Sequence, residues 1–222
     1  MSDGSVPMVA ALGRAVVADK LVEMAGIEQA AAVAHGGGAT GGTQSALEAA
    51  VRAVNPALRI VTVTPGAGVA AAAPAVRSNL WGMYGAARPP KPAPLEPAVV
   101  EIRFERGIPT RVNGVPMPLV ELITTLSLLA GAHRVGRIQT TDATLDAPAA
   151  TVLHAAHREL QQRKAPLKDG DALSRQYAEV IAAGQWPAAV RLALDKTVEK
   201  SQKRVTGAVK MKLFHGECTV LD

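Results

Sequence analysis

Between positions 87 and 97 the chain reads ARPPKPAPLEP, five prolines in eleven residues. Proline lacks a backbone N–H and holds φ near −65°, so such a run is neither helix interior nor central strand. It is an extended connector, and it obliges whatever precedes and follows it to fold around separate cores. Glycine, alanine and proline already dominate from 65 onward. The division that follows is a first region over 1–90, a Pro-rich linker over 91–97 and a second region over 98–222.

The first region alternates helix and strand. Residues 11–29 place Ala11, Leu12, Val16, Val17, Leu21, Val22, Met24 and Ala25 at helical spacing around Asp19, Lys20 and Glu23. A short apolar run, 30–35, then enters a burst of glycine, as a buried strand entering a loop does. A second helix starts at Thr43 or Ser45, where Ser45 and Glu48 have capping-box spacing, and ends at Asn55-Pro56. Residues 59–63 form the next strand. Strand, helix, strand at this spacing is a parallel βαβ unit, so the first region is part of an open α/β sheet.

Beyond the linker the periods change. Residues 99–104 alternate as a half-buried strand, Arg106-Gly107 turns it, 110–112 return, and Asn113-Gly114 is a strong hairpin signal. Leu119 to Ala132 is an amphipathic helix, followed by a short strand at 136–139. Helices follow at about 149–163, 171–184 and 187–201, and a hairpin turning at His215-Gly216 closes the chain. The second region is α+β.

Composition excludes several classes. Hydrophobic residues make up 48% of 222, enough for a sizeable core, with aromatics at 3% leaving Ala, Val and Leu to fill it. No apolar run approaches the roughly 20 residues of a membrane span, and the N-terminus lacks the basic region of a signal peptide. The single cysteine, Cys218, permits no internal disulfide and suits a reducing cytoplasm. Net charge is +5, gathered at Lys196, Lys200, Lys203, Arg204, Lys210 and Lys212. Stacking aromatics are missing and Asp195 and Glu199 interrupt the run, so a solvated face is expected rather than nucleic acid.

One loop has chemical potential: His35 through Ser45, lying between a strand and a helix N-terminus, where free N–H groups and the helix dipole favour an anion. Gly36, Gly38 and Gly41 satisfy G-x-G-x-x-G, but the next strand ends without the acidic residue a dinucleotide fold needs. No Lys-Ser or Lys-Thr follows, which excludes a Walker loop. The ligand-binding candidates are His35, Gly36, Thr40, Thr43, Gln44 and Ser45; a ligand-free glycine-rich connector is the simpler alternative. His154 and His157 lie three apart on a helix without an obvious third ligand, so core or capping histidines are expected and no metal. Cys218, in an alternating strand, is expected to be an inert thiol. Trp81 and Trp186 are expected as packing anchors.

Arg106-Gly107-Ile108-Pro109, Val112-Asn113-Gly114, Val120 to Ile123, Leu129-Ala130-Gly131 and His133 to Ile138 are very similar to the opening of the argininosuccinate synthase C-terminal domain. Residues 201–213 resemble its closing segment. Leu12-Gly13-Arg14, Val33 to Gly36, Arg52 to Pro56 and Asn79-Leu80-Trp81-Gly82 resemble that family's middle region, in the same order. The resemblance therefore covers most of the chain. It implies the remnant of an open parallel α/β sheet followed by an argininosuccinate-synthase-like α+β domain, and a cytoplasmic homo-oligomer, dimer or tetramer, joined through the C-terminal segment.

The family joins citrulline to aspartate by adenylating the ureido oxygen with ATP. Its opening pyrophosphatase loop, of the S-G-G-L-D-T-S type, has no counterpart in this sequence. Where the family continues A-H-G with C-T-G-K-G-N-D-Q-V-R-F-E, the Thr, Asn, Asp and Arg that bind its substrates align with Gly38, Gly42, Thr43 and Ala46. Such contacts are worth about 1.5–3 kcal/mol each. The family's G-I-K-S-R-G-x-Y-E stretch has no match between Gln139 and Pro148. The resemblance so read implies lost ATP, citrulline and aspartate sites, no bound cofactor, and a chain repurposed to bind or convert another small molecule in specialised metabolism. A non-catalytic partner of a full-length synthase is the alternative.

Overall fold

The computed structural model describes residues 9–35, 41–63, 93–139, 144–166, 170–183 and 189–221. They divide into two compact units, Met1–Ala72 with Asp169–Thr197, and Ala73–Lys168 with Val198–Asp222. The linker at 91–92, Trp81 and Trp186 lie outside the described residues. The fold is the expected one: an α/β portion followed by an α+β domain.

In the first unit, helix α1 (Val9–Ile27) precedes strand β1 (Ala32–His35), helix α2 (Gly41–Val54) and strand β2 (Arg59–Thr62). Strands β1 and β2 pair in parallel, Val33 opposite Ile60 and His35 opposite Thr62. Ala18, Ala25, Val33, Ala50, Val51 and Leu58 form the buried core, so the apolar face of α1 is mostly alanine. Its end is a Schellman motif. Ala30 N–H donates to Ala25 O at 2.8 Å and Gln29 N–H to Gly26 O at 3.3 Å, with Gln29 left-handed at φ 51°. Helix α5 (Gly170–Ala182) and most of helix α6 (Ala189–Gln202) group with this unit. They are tied together at Tyr177, whose hydroxyl donates to Asp195 Oδ1 at 2.7 Å.

The second unit is an antiparallel sheet with helices on one face. Strands β3 (Ala98–Glu105), β4 (Ile108–Val112), β5 (Val115–Pro116), β8 (Gly207–Phe214) and β9 (Glu217–Leu221) order as β5-β4-β3-β8-β9. Helix α3 (Leu119–Ala132) covers the β4 side and helix α4 (Pro148–Lys164) the β8–β9 side. Alternation sends Val100, Ile102 and Phe104 inward from β3 and Val209, Met211 and Leu213 from β8, against Leu122, Leu126, Val152 and Leu160. The three hairpins of this five-stranded sheet turn on two residues with positive φ: Arg106-Gly107 at 52° and 81°, Asn113-Gly114 at 49° and 79°, His215-Gly216 at 47° and 90°. That is the turn whose twist matches paired strands.

Residues 137–139 and 144–146 hold a feature that sequence reading passes over. Strand β6 (Arg137–Gln139) pairs with a further strand, β7 (Thr144–Asp146), where only a connector was expected. The cross-strand partners Arg137 and Asp146 form an ion pair at 3.1 Å, and Gly136 N-terminal to it sits at φ 81°.

Candidate functional site

In an open α/β sheet, ligands gather beyond the carboxyl ends of the strands. Here those ends are His35 on β1 and Thr62 on β2, side by side in the parallel register. Glu48, on α2, reaches both. Its Oε1 accepts from Thr62 Oγ1 at 3.3 Å and lies 3.6 Å from His35 Nε2. Its Oε2 accepts from Arg52 Nη2 at 3.2 Å, one helical turn on. A carboxylate thus gathers an imidazole, a hydroxyl and a guanidinium at one edge of the sheet.

The burial is uneven. The His35 side chain is 10% exposed and that of Glu48 18%, while Arg52 reaches into solvent. Among the described residues, neither ring nitrogen of His35 has a hydrogen-bond partner. A buried imidazole ordinarily finds one, because an unsatisfied polar atom costs about 1–3 kcal/mol. The unused donor and acceptor of this ring are therefore the chemical capacity of the edge. Arg52, the cation recorded here among the described residues, is already engaged by Glu48.

The sequence-derived candidates meet this edge unevenly. His35 is in it. Thr43, Gln44 and Ser45 lie on the first two turns of α2, close to the free N–H groups of its N-terminus. Gly36 and Thr40 lie outside the described residues. The capping box needs correcting. The helix starts at Gly41, two to four residues earlier than expected, so Ser45 is inside it and cannot cap, and Glu48 turns to the strand ends instead. Sequence reasoning missed Glu48, Arg52 and Thr62 as members of the edge. The parallel register implied by the βαβ pattern, which places the last residues of the two strands together, was the available signal for Thr62.

The other side chains singled out in the sequence lie away from this edge. His157 Nε2 and Gln202 Oε1 are 2.7 Å apart, and its ring meets Phe104 edge-on at 5.8 Å, so this histidine caps the core. Partial burial lowers the pKa of His154, helped by Arg158. No group of three or more metal-ligating side chains occurs among the described residues. Burial pushes the Cys218 thiol up to about 11, which makes it a poor nucleophile. The six basic residues from Lys196 to Lys212 are all exposed, and no described helix is long and apolar enough to cross a membrane.

Residues 75–222 match the family model described as the arginosuccinate synthase C-terminal domain, and residues 1–71 the arginosuccinate synthase N-terminal HUP domain. The chain is 34% identical to the argininosuccinate synthase of Rubrobacter xylanophilus, an alignment covering 98% of the chain and 65% of that protein. Against the argininosuccinate synthases of Bacillus thuringiensis and Bacillus anthracis the identity is also 34%, covering 98% of the chain and 67% of the relative. The chain thus spans about two thirds of the length of these curated relatives.

Proposed function

Because the chain belongs to the argininosuccinate synthase family, we propose that it uses that family's scaffold to bind a small molecule less charged than citrulline or aspartate, with or without converting it. The site is the edge formed by His35, Glu48 and Thr62, in a cytoplasmic protein. The observation that carries this reading is the buried His35 ring, whose two nitrogens have no hydrogen-bond partner among the described residues: it can offer one donor and one acceptor to a neutral polar group. The α2 turns beside it support the same reading. Where the family resemblance puts charged-ligand contacts, this chain has Gly38, Gly42, Thr43 and Ala46, none of which bears a charge. Losing several such contacts, each worth about 1.5–3 kcal/mol, removes ordinary affinity for a zwitterionic amino acid.

The test is direct. The purified chain is incubated with citrulline, aspartate and ATP, and argininosuccinate is measured by mass spectrometry; none is expected. Formation of the product would overturn the proposal. In parallel, a panel of neutral polar metabolites is screened by thermal shift. Hits should lose their effect in His35→Ala and keep it in a surface control such as Lys212→Gln.

A second reading has its own observation. Leu128 is 71% and Val120 57% exposed on α3, which is apolar side-chain surface left in water. That surface suits a non-catalytic role in which the C-terminal domain assembles with other copies or with a full-length synthase. Co-elution with a full-length synthase on size-exclusion chromatography, at unchanged small-molecule affinity, would favour it.

A further inference from the structure

The solvent face of the β3–β4 hairpin holds a feature that the edge at His35 does not use. The even-numbered residues of β3 turn into the core, so Glu101, Arg103 and Glu105 face outward. In the antiparallel register Arg103 stands directly opposite Arg111 on β4. Like charges in directly opposed positions destabilise a strand pair, and the ion pair that Arg103 makes with Glu105 is a long one. Half of the Arg103 side chain is exposed, and Glu105 Oε1 lies 3.9 Å from its Nε. Among the described residues, the Arg111 guanidinium donates one hydrogen bond, a long one of 3.4 Å to the Gly114 carbonyl.

Two further observations converge there. The register slips just beyond the pair, from Arg103 opposite Arg111 to Phe104 opposite Pro109, so that Thr110 is an extra residue in β4. Such bulges increase twist, re-aim neighbouring side chains and gather beside binding sites. Over the same residues lies an open cleft of about 390 Å³, lined by Glu101, Arg103, Glu105, Arg111 and Gly114, within the size range of small-molecule clefts. Lys210 on β8 stands opposite Glu101, adding a third cation to the two arginines against two carboxylates.

We propose that Arg103 and Arg111 form an oxyanion-binding site on the outer face of this hairpin, taking a small carboxylate or phosphate between their two guanidinium groups. A guanidinium presents five donors in a planar fork that matches either oxyanion two bonds at a time. One bound anion replaces the repulsion across the ladder with charge-assisted bonds to both strands. Glu101 and Glu105 at the margins select against an extended polyanion, which would meet a carboxylate on leaving the pair. The site lies wholly within the second unit and is independent of the reading for His35.

The experiment uses the full chain, labelled with nitrogen-15, with the arginine Nε–H signals followed by NMR. Sodium phosphate and sodium succinate are titrated separately at constant ionic strength. Two arginine signals should shift saturably, and the affinity should fall roughly tenfold or more in Arg103→Gln and in Arg111→Gln, but not in Lys212→Gln. Saturation by phosphate alone identifies a tetrahedral ligand and by succinate alone a carboxylate; saturation by both supports the shared oxyanion chemistry. Shifts that follow sodium chloride without saturating would overturn the proposal. So would saturable binding that survives in both arginine variants, whose folding is checked by thermal unfolding.

Discussion

His157 is held by two neighbours that lie far apart in sequence, Gln202 through a 2.7 Å hydrogen bond and Phe104 through an edge-on ring contact. Its substitution in His157→Ala leaves the half-buried Gln202 carbonyl oxygen without that partner and removes packing from the largest core side chain. The expected cost is about 1–3 kcal/mol, read as a lower urea midpoint, with His157→Gln recovering part of it. An unchanged midpoint would mean that the contact contributes nothing net. Cys218 gives a prediction in pH. Burial raises its folded thiol to about 11 from the ordinary value of 9.0, so the unfolded chain gives up its proton first. Whatever stability this group contributes is complete below about pH 9 and declines as pH rises through 11. Iodoacetamide labelling of the folded chain should therefore keep accelerating up to about pH 11, while the urea-unfolded chain levels off near 9. Glu48 shows where residue-scale reading stops. Three positions after Ser45 it satisfies a local capping rule, and only the pairing of β1 with β2 reveals that its carboxylate serves the strand ends.

At the scale of elements, most of the second unit was legible because its signals are local. Asn113-Gly114, Arg106-Gly107 and His215-Gly216 each specify a two-residue turn, and the turn fixes the register of the strands it joins. The span of α3 follows from its apolar period, and its end from a left-handed residue, Arg134 at φ 60°, with Val135 N–H closing back to Ala130 O at 3.0 Å. Strand β7 was not legible, since three residues pairing with three others carry almost no period of their own. What the pairing depends on is Gly136. At φ 81° a Cβ there would lie 2.6 Å from Ala147 O and from Pro148 Cα, backbone atoms that cannot swing away. Gly136→Ala should therefore destabilise the domain by well over the roughly 1 kcal/mol of ordinary left-handed strain, measured as a drop in melting temperature. Arg111→Gln should act in the opposite sense. Without anion, removing one of two opposed like charges raises stability by about 0.2–1 kcal/mol, and added phosphate should stabilise the parent chain but not the variant.

On the scale of the whole molecule, the two units differ in the material of their cores. The second encloses Phe104, Ile102, Leu122, Leu126, Met211 and Leu213, all with almost no surface in water. Among the described residues, the main cluster of the first holds three alanines, two valines and one leucine, and the buried residues of α5 are Ala178, Val180 and Ile181. Burial of apolar surface is worth about 25 cal/mol per Å², and an alanine has little to bury, so the first unit has the smaller reserve against local opening. Amide hydrogen exchange should show the contrast directly. Peptides spanning 99–104 and 209–213, central in a five-stranded sheet, should be the last to exchange. Those spanning 15–25 and 32–35 should exchange earlier and with a smaller denaturant dependence. Equal protection in both sets would mean that the units open together, as one cooperative body. The expected order also bears on the proposed site at His35, because a sheet edge that opens readily lets a small molecule reach a ring that is nine-tenths buried. If a neutral ligand found by the thermal-shift screen binds there, it should raise protection at 32–35 and 59–62 while leaving 99–104 unchanged. A ligand that protected the second unit instead would not be acting at His35.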